Sequence, residues 1–199
     1  RYLHARDICH RDLKFENVLF ETVAPDSMVK LIDFGLSKRY RPGHRMNEAV
    51  GTLYSMAPEV LNGNYTQACD MWSIGVISFM LLSGEMPFSG KNEEQVIRKL
   101  TAGTYTMKES LWHCVSAEAK DFVQNLIVVK PAGRLTAEQA LNHEWVKQEW
   151  DKYQKLQSQT SDRKLGQSIV TSLQQYGRYG KLRKAALMVI AHRAKPEQI

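Results

Sequence analysis

The sequence predicts a mainly α-helical fold, with short β-hairpin elements near residues 18–32 and regulatory-type helices toward the C-terminus. Three observations carry this. Residues 71–82, Met71-Trp72-Ser73-Ile74-Gly75-Val76-Ile77-Ser78-Phe79-Met80-Leu81-Leu82, are apolar nearly all round and close on Ser83-Gly84, the pattern of a helix buried at the centre of a domain. Helix-start signals recur after it, at Ser116-Ala117-Glu118-Ala119 and Thr136-Ala137-Glu138-Gln139, where a hydroxyl can cap the first turn. The β-type runs before it are brief, Val18-Leu19-Phe20 and Val29-Lys30-Leu31-Ile32.

Taken in order, those two runs are separated by Pro25-Asp26-Ser27, which has turn chemistry. Residues 35–57 show no sustained period and carry Gly35, Pro42, Gly43 and Gly51; a loop that long inside a compact domain is usually functional. After the central helix, Asn92 to Leu100 reads as a shorter amphipathic helix. The helix begun at Ser116 places Val123, Leu126 and Ile127 on one face and stops before Pro131, and the one begun at Thr136 runs to about Leu141. Past Trp150 the character changes: residues 151–180 are rich in Gln, Ser and Lys and read as exposed or linker-like. Lys181 to Arg193 is sharper. Leu182, Ala185, Ala186, Val189 and Ile190 form one stripe with Lys181, Arg183 and Lys184 largely off it, a basic amphipathic helix that Pro196 would end.

Composition bounds the function classes. The chain has 199 residues, 43% hydrophobic and 24% charged, the profile of a globular protein able to bury a core, and its length suggests one domain plus an appendage. No apolar run approaches the ~20 residues that span a bilayer, and the chain opens on Arg1-Tyr2-Leu3-His4 with neither an initiator methionine nor a leader pattern. Cys9, Cys69 and Cys114 are odd in number and lack a C-x-x-C pair. That predicts a reducing, cytoplasmic setting and small core thiols. The net charge of +6 is unevenly spread: residues 1–150 hold 17 basic and 18 acidic side chains, residues 151–199 hold 10 and 3. A basic tail of this kind suits either nucleic acid or an acidic protein partner.

Two motifs carry chemistry, and a third closes the segment they begin. His10-Arg11-Asp12-Leu13-Lys14-Phe15-Glu16-Asn17 matches the H-R-D-L-x-x-x-N catalytic loop of protein kinases. Asp33-Phe34-Gly35 follows after a strand-like run, and Ala57-Pro58-Glu59 follows that. Singly, Asp12 would read as a surface acid, Asn17 as a turn residue and Asp33 as a cap. In this order and spacing the joint reading prevails. Phosphoryl transfer needs positioning and neutralisation of phosphate charge more than covalent help. Hard Mg²⁺ ions want oxygen ligands, which Asp33 and Asn17 offer. Asp12 is then placed to accept the proton of a substrate hydroxyl, and Lys14 to reach the γ-phosphate as a point charge.

On these motifs the chain resembles the C-terminal lobe of a eukaryotic-type protein kinase over residues 1–147. The resemblance implies several roles. Leu19 matches the floor under adenine, so that Lys14, Asn17, Leu19 and Asp33 together face ATP and Mg²⁺. Asp70 matches a buried acid that braces the catalytic loop, Glu59 and Arg134 a buried ion pair, and His10 a packing member of the spine. Asp12-Leu13-Lys14 with Gly51-Thr52 before the A-P-E resembles serine/threonine kinases, with Thr52 bonding near Asp12 and Lys14. Glu16 resembles an acidic position that receives a basic substrate residue; a solvated loop acid is the competing reading, and both stay open. Arg11 precedes Asp12, which implies an anion holding the activation loop, and Glu48 stands where a phosphorylated hydroxyl is common.

Phe15 replaces the proline usual in this loop, and Ser55 a tyrosine common after Tyr54; neither removes a ligand or a base. No G-x-G-x-x-G and no V-A-I-K lysine are present, so the chain reads as a kinase fragment whose small lobe lies upstream of Arg1 and which alone would be inactive. Residues 181–199 resemble the autoinhibitory junction of calcium-dependent protein kinases, which leads into calmodulin-like EF-hands, with 148–180 as a linker or regulatory helix region. Ca²⁺ would then act only through EF-hands outside these residues. The expected partners are protein substrates and a calmodulin-like domain in cis, or calmodulin in trans, on 181–193. A kinase using separate calmodulin and a non-catalytic scaffold remain as alternatives. A nucleic-acid role is the weakest, since the tail lacks interleaved aromatics beyond Tyr176 and Tyr179.

Overall fold

A computed structural model describes residues 1–22 and 27–159. The turn residues Pro25 and Asp26 and everything read from residues 160–199, including the basic helix at 181–193, lie outside the described residues. Four short strands come first: β1 (Ile8–Cys9), β2 (Val18–Phe20), β3 (Val29–Leu31) and β4 (Lys38–Arg39). Seven helices follow: α1 (Pro58–Leu61), α2 (Ala68–Ser83), α3 (Glu93–Ala102), α4 (Glu109–Trp112), α5 (Ala117–Leu126), α6 (Ala137–Leu141) and α7 (Glu144–Gln159).

The core is built round α2. Met71, Trp72, Val76, Phe79 and Met80 are buried; Trp72 stacks on Phe88 with centroids 5.4 Å apart, and Phe79 packs against Trp112 at 4.8 Å. The helix ends because Gly84 adopts φ 71°, letting its N–H reach Met80 O at 2.8 Å. A glycine inside α2 has a packing reason. A Cβ on Gly75 would stand 2.8 Å from Leu126 Cβ and 2.9 Å from Ile127 Cγ1, so the close α2–α5 contact requires its absence. Asn92, Ser116 and Thr136 each accept a backbone N–H as N-caps of α3, α5 and α6, and Thr136 with Gln139 completes a capping box.

β2 and β3 pair antiparallel with Leu19 opposite Lys30. The segment read as a loop without period is more ordered than its sequence suggested. β4 pairs with β1, Ile8 opposite Arg39; Arg41-Pro42-Gly43-His44 closes a turn with Gly43 at φ 80°; and Met46 bridges to Tyr65. Strands of two residues leave no periodic trace. α7 also runs through the compositional change at Trp150, because Gln, Lys and Glu are good helix formers. What changes there is packing, since Trp145 lies against Phe122 at 5.0 Å while Trp150 and Tyr153 are exposed. Cys9 and Cys69 are core thiols, but Cys114 is exposed, a correction to the expectation for all three.

Candidate active site

The catalytic-loop motif occupies the turn between β1 and β2, and its residues converge. Asp12 is buried. Its Oδ1 accepts a hydrogen bond from Thr52 Oγ1 at 2.6 Å, and Lys14 Nζ lies 2.8 Å from its Oδ2. Lys14 Nζ also donates to Thr52 Oγ1 at 2.9 Å, so carboxylate, ammonium and hydroxyl form a closed triangle. Asn17, buried at the end of a 3-10 turn over Phe15–Asn17, donates Nδ2 to Asp12 O at 2.8 Å. That use of its nitrogen directs Oδ1 elsewhere as an acceptor. Asn17 O accepts from Ile32 N at 2.9 Å, which brings the residue beside Asp33. Asp33 has φ 60° and its Oδ1 accepts from Gly35 N at 3.2 Å.

Beneath the loop stands Asp70, 2% exposed, on the first turn of α2. Its Oδ2 accepts from His10 N and its Oδ1 from Arg11 N, both at 2.9 Å, while His4 Nε2 lies 2.7 Å from Oδ2. These bonds grip the peptide where Arg11 takes φ 70°, a conformation that costs a non-glycine residue on the order of 1 kcal/mol or more. The thiols of Cys9 and Cys69 sit 3.5 Å apart next to it. Their mutual hydrogen bond, burial and the Asp70 charge push the Cys9 pKa well above the ordinary thiol range. With both Asp70 oxygens already committed to donors, this cluster reads as packing and not as a metal centre. His10 is fully buried, with its ring 5.0 Å from Phe34.

Arg11 turns its side chain outward to the loop. Nη1 pairs with Glu48, Nε donates to Leu36 O at 2.6 Å, and Nη1 donates to Tyr65 Oη at 3.2 Å. Glu48 also takes Lys38 Nζ at 2.7 Å, and Tyr65 Oη donates to Glu48 O at 2.7 Å. Lys38 and then Arg11 hold the Glu48 carboxyl below its ordinary pKa. Burial opposes charge on Arg11, yet its bonds with Glu48 and Tyr65 leave its pKa raised. Glu59 and Arg134 meet through Nη1–Oε1 at 2.5 Å and Nη2–Oε2 at 2.7 Å, with the Arg134 side chain fully enclosed. Glu16, half-buried, accepts from Tyr54 Oη at 2.5 Å. Leu19 stands apart from this network, half-exposed on β2.

Sequence reasoning missed His4, Lys38, Tyr54 and Tyr65. None of the four sits in a motif, and each reaches the site only through folding. For Lys38 the one available signal was the unbalanced basic run that begins there.

Comparison with known proteins agrees with this geometry. A profile of the protein kinase domain matches residues 1–146. The chain is 39% identical over 196 residues to calcium-dependent protein kinase 25 of Arabidopsis thaliana, covering 98% of this chain and 36% of that protein. It is 44% identical over 147 residues to calcium-dependent protein kinase 4 of Plasmodium falciparum, covering 73% and 28%. With the CDPK-related protein kinase of Daucus carota it shares 41% over 192 residues, covering 96% and 30%. The chain thus spans about a third of the length of the curated relatives it matches. With the motif residues converged on one turn and the match covering most of its length, the chain belongs to the protein kinase domain family.

Proposed function

We propose that this chain is the larger-lobe portion of a serine/threonine protein kinase that moves the γ-phosphate of ATP to Ser or Thr of protein substrates. The observation that carries the reading is the closed triangle of Asp12, Lys14 and Thr52. Asp12 accepts the proton of the incoming hydroxyl. Lys14, already paired to Asp12, adds a positive charge beside the transferring group, and the Thr52 hydroxyl holds both side chains in register. Asn17 Oδ1 and the Asp33 carboxylate are hard oxygen donors and fit Mg²⁺; when bound, the metal and ATP supply the phosphoryl group and the neutralisation of its charge. Leu19, Phe20, Met28, Val29 and Phe34 are all exposed apolar side chains, which supports a small upstream lobe packed over β2 and β3, with Leu19 under adenine.

The remaining assignments rest on this one. Residues 1–147 form the catalytic lobe, 148–180 a linker or regulatory helix region, and 181–199 an autoinhibitory junction. The matches to the plant relatives extend over 196 and 192 residues and so reach into that junction. This favours calcium regulation by a calmodulin-like domain in cis over calmodulin in trans. Glu48, held by Arg11 and Lys38, serves as a fixed substitute for a loop phosphate. Among the described residues no helix is long and apolar enough to cross a membrane.

The test is phosphoryl transfer from Mg-ATP to serine peptides by the full-length protein, with and without a calcium chelator. Asp12→Asn should lower kcat at least about a hundredfold, the scale of a lost general base. Transfer that survives Asp12→Asn intact would exclude the mechanism, and transfer unaffected by chelation would exclude the calcium arm.

A further inference from the structure

The turn Leu53–Ser55 follows directly on Thr52, and it grips the catalytic loop twice. Thr52 binds Asp12 and Lys14; two residues on, Tyr54 Oη donates to Glu16 Oε2 at 2.5 Å and accepts from Phe15 N at 3.3 Å. The phenol therefore relays a backbone donor to a carboxylate, an arrangement that strengthens the second bond. Glu16 itself is anomalous. It is half-buried, it has no cation within ion-pair distance among the described residues, and its Oε1 has no hydrogen-bond partner among them. A partly desolvated carboxylate without a counter-charge is a receptor for one.

We infer that Tyr54 is a specificity-positioning residue: its hydroxyl pins Glu16 so that Oε1 is presented to a guanidinium or ammonium of the substrate at a set distance from Asp12. The inference deepens the kinase reading and rests on it. Because one rigid turn holds Asp12 through Thr52 and Glu16 through Tyr54, the span between the proton acceptor and the cation receptor is fixed. That is a ruler for a basic residue at one spacing from the accepted Ser or Thr. A free Glu side chain would have to be ordered on binding, at the expense of affinity.

The test uses full-length protein and two serine peptides that differ only by Arg or Gln at successive positions N-terminal to the serine. The wild type should favour one arginine peptide through KM. Tyr54→Phe, which keeps the ring and removes the hydroxyl, should reduce that preference about three- to tenfold, the worth of one ordinary intramolecular hydrogen bond, with the loss in KM for the arginine peptide and not in kcat. Glu16→Gln should erase the preference, and adding Tyr54→Phe to it should change the preference no further. Transfer with undiminished arginine preference in Tyr54→Phe overturns this inference alone, as does an equal fall in kcat on both peptides. No transfer to any peptide by the wild type overturns the kinase reading, and this inference with it.

Discussion

The Arg134–Glu59 pair offers the sharpest perturbation, because every donor in it is accounted for. The guanidinium has five N–H groups. Nη1 donates to Glu59 Oε1 and to Ala68 O at 2.9 Å, Nη2 to Glu59 Oε2 and to Val129 O at 3.2 Å, and Nε to Val128 O at 2.6 Å. Its face also lies over the Trp72 ring, 5.0 Å from the centroid. Arg134 thus ties the end of the activation segment, the start of α2 and the chain after α5 into one node. Glu59→Ala strands two donors and a positive charge on a side chain that has no solvent exposure. Breaking one partner of such a pair should cost about 3–5 kcal/mol, a fall of roughly 6–20 °C in the melting of a domain this size. Arg134→Lys keeps the charge but cannot make the fork, and should cost less, about 2 kcal/mol. Glu59→Met with Arg134→Met removes both charges, so the double variant should cost well under the sum of the single variants Glu59→Met and Arg134→Met. Thermal unfolding of the full-length protein and its variants closes the cycle. A coupling below about 0.5 kcal/mol, the error of additivity, would refute the reasoning.

Three further outcomes are expected. Glu48→Gln should lower kcat, while phosphatase treatment leaves the wild type active. Because the folded Glu48 pKa lies below its ordinary 4.5, the stability it adds is complete above that value and is lost as pH falls through the folded pKa; the difference between wild type and Glu48→Gln in acid titrations should shrink only there. Gly75→Ala should destabilise by about 1–3 kcal/mol, as overpacking does, since its Cβ would meet Leu126 at 2.8 Å, measured by denaturant unfolding. Asp70→Asn turns an amide N–H₂ toward donors that now find an oxygen, so kcat should fall at least about tenfold through lost orientation; steady-state kinetics with KM little changed would show it, and an unaltered kcat would contradict it.

The parts of the fold that could be read ahead were those whose cause is local. The all-round apolar run made α2 visible, and the hydroxyl caps at Ser116 and Thr136 marked the starts of α5 and α6 to within a residue. β1 and β4 were illegible because two-residue strands carry no period, and each exists only through the other. The site divides the same way. Asp12, Asn17 and Asp33 announced themselves by spacing, whereas Tyr54 and Tyr65 reach the motif across 38 and 54 residues of chain and His4 meets Asp70 across 66, separations that no local pattern encodes. Glu16 shows the limit best. Its motif leaves a receptor and a solvated acid equally open, and the contact that supports the receptor proposal comes from the hydroxyl of a tyrosine 38 residues away.

The helix that makes the fold legible also explains how the loop keeps an unfavourable backbone. Arg11 sits at φ 70°, and a peptide so placed would relax if it were free, since such strain persists only where its surroundings over-determine it. Asp70 supplies that constraint, its one carboxylate accepting hydrogen bonds from two backbone N–H groups, and the carboxylate is itself fixed by His4 and by the buried first turn of α2. Gly51 adds a steric condition on the other side: at φ 123°, a Cβ there would stand 2.6 Å from Arg11 O. The strained peptide is therefore clamped between the activation segment and the core helix, and Arg11 can hold Glu48 only while both clamps stand. Loosening either should disturb the placement of Asp12 before it unfolds the domain, because most of the core contacts of α2 lie further along the helix than Asp70, at Trp72, Val76, Phe79 and Met80.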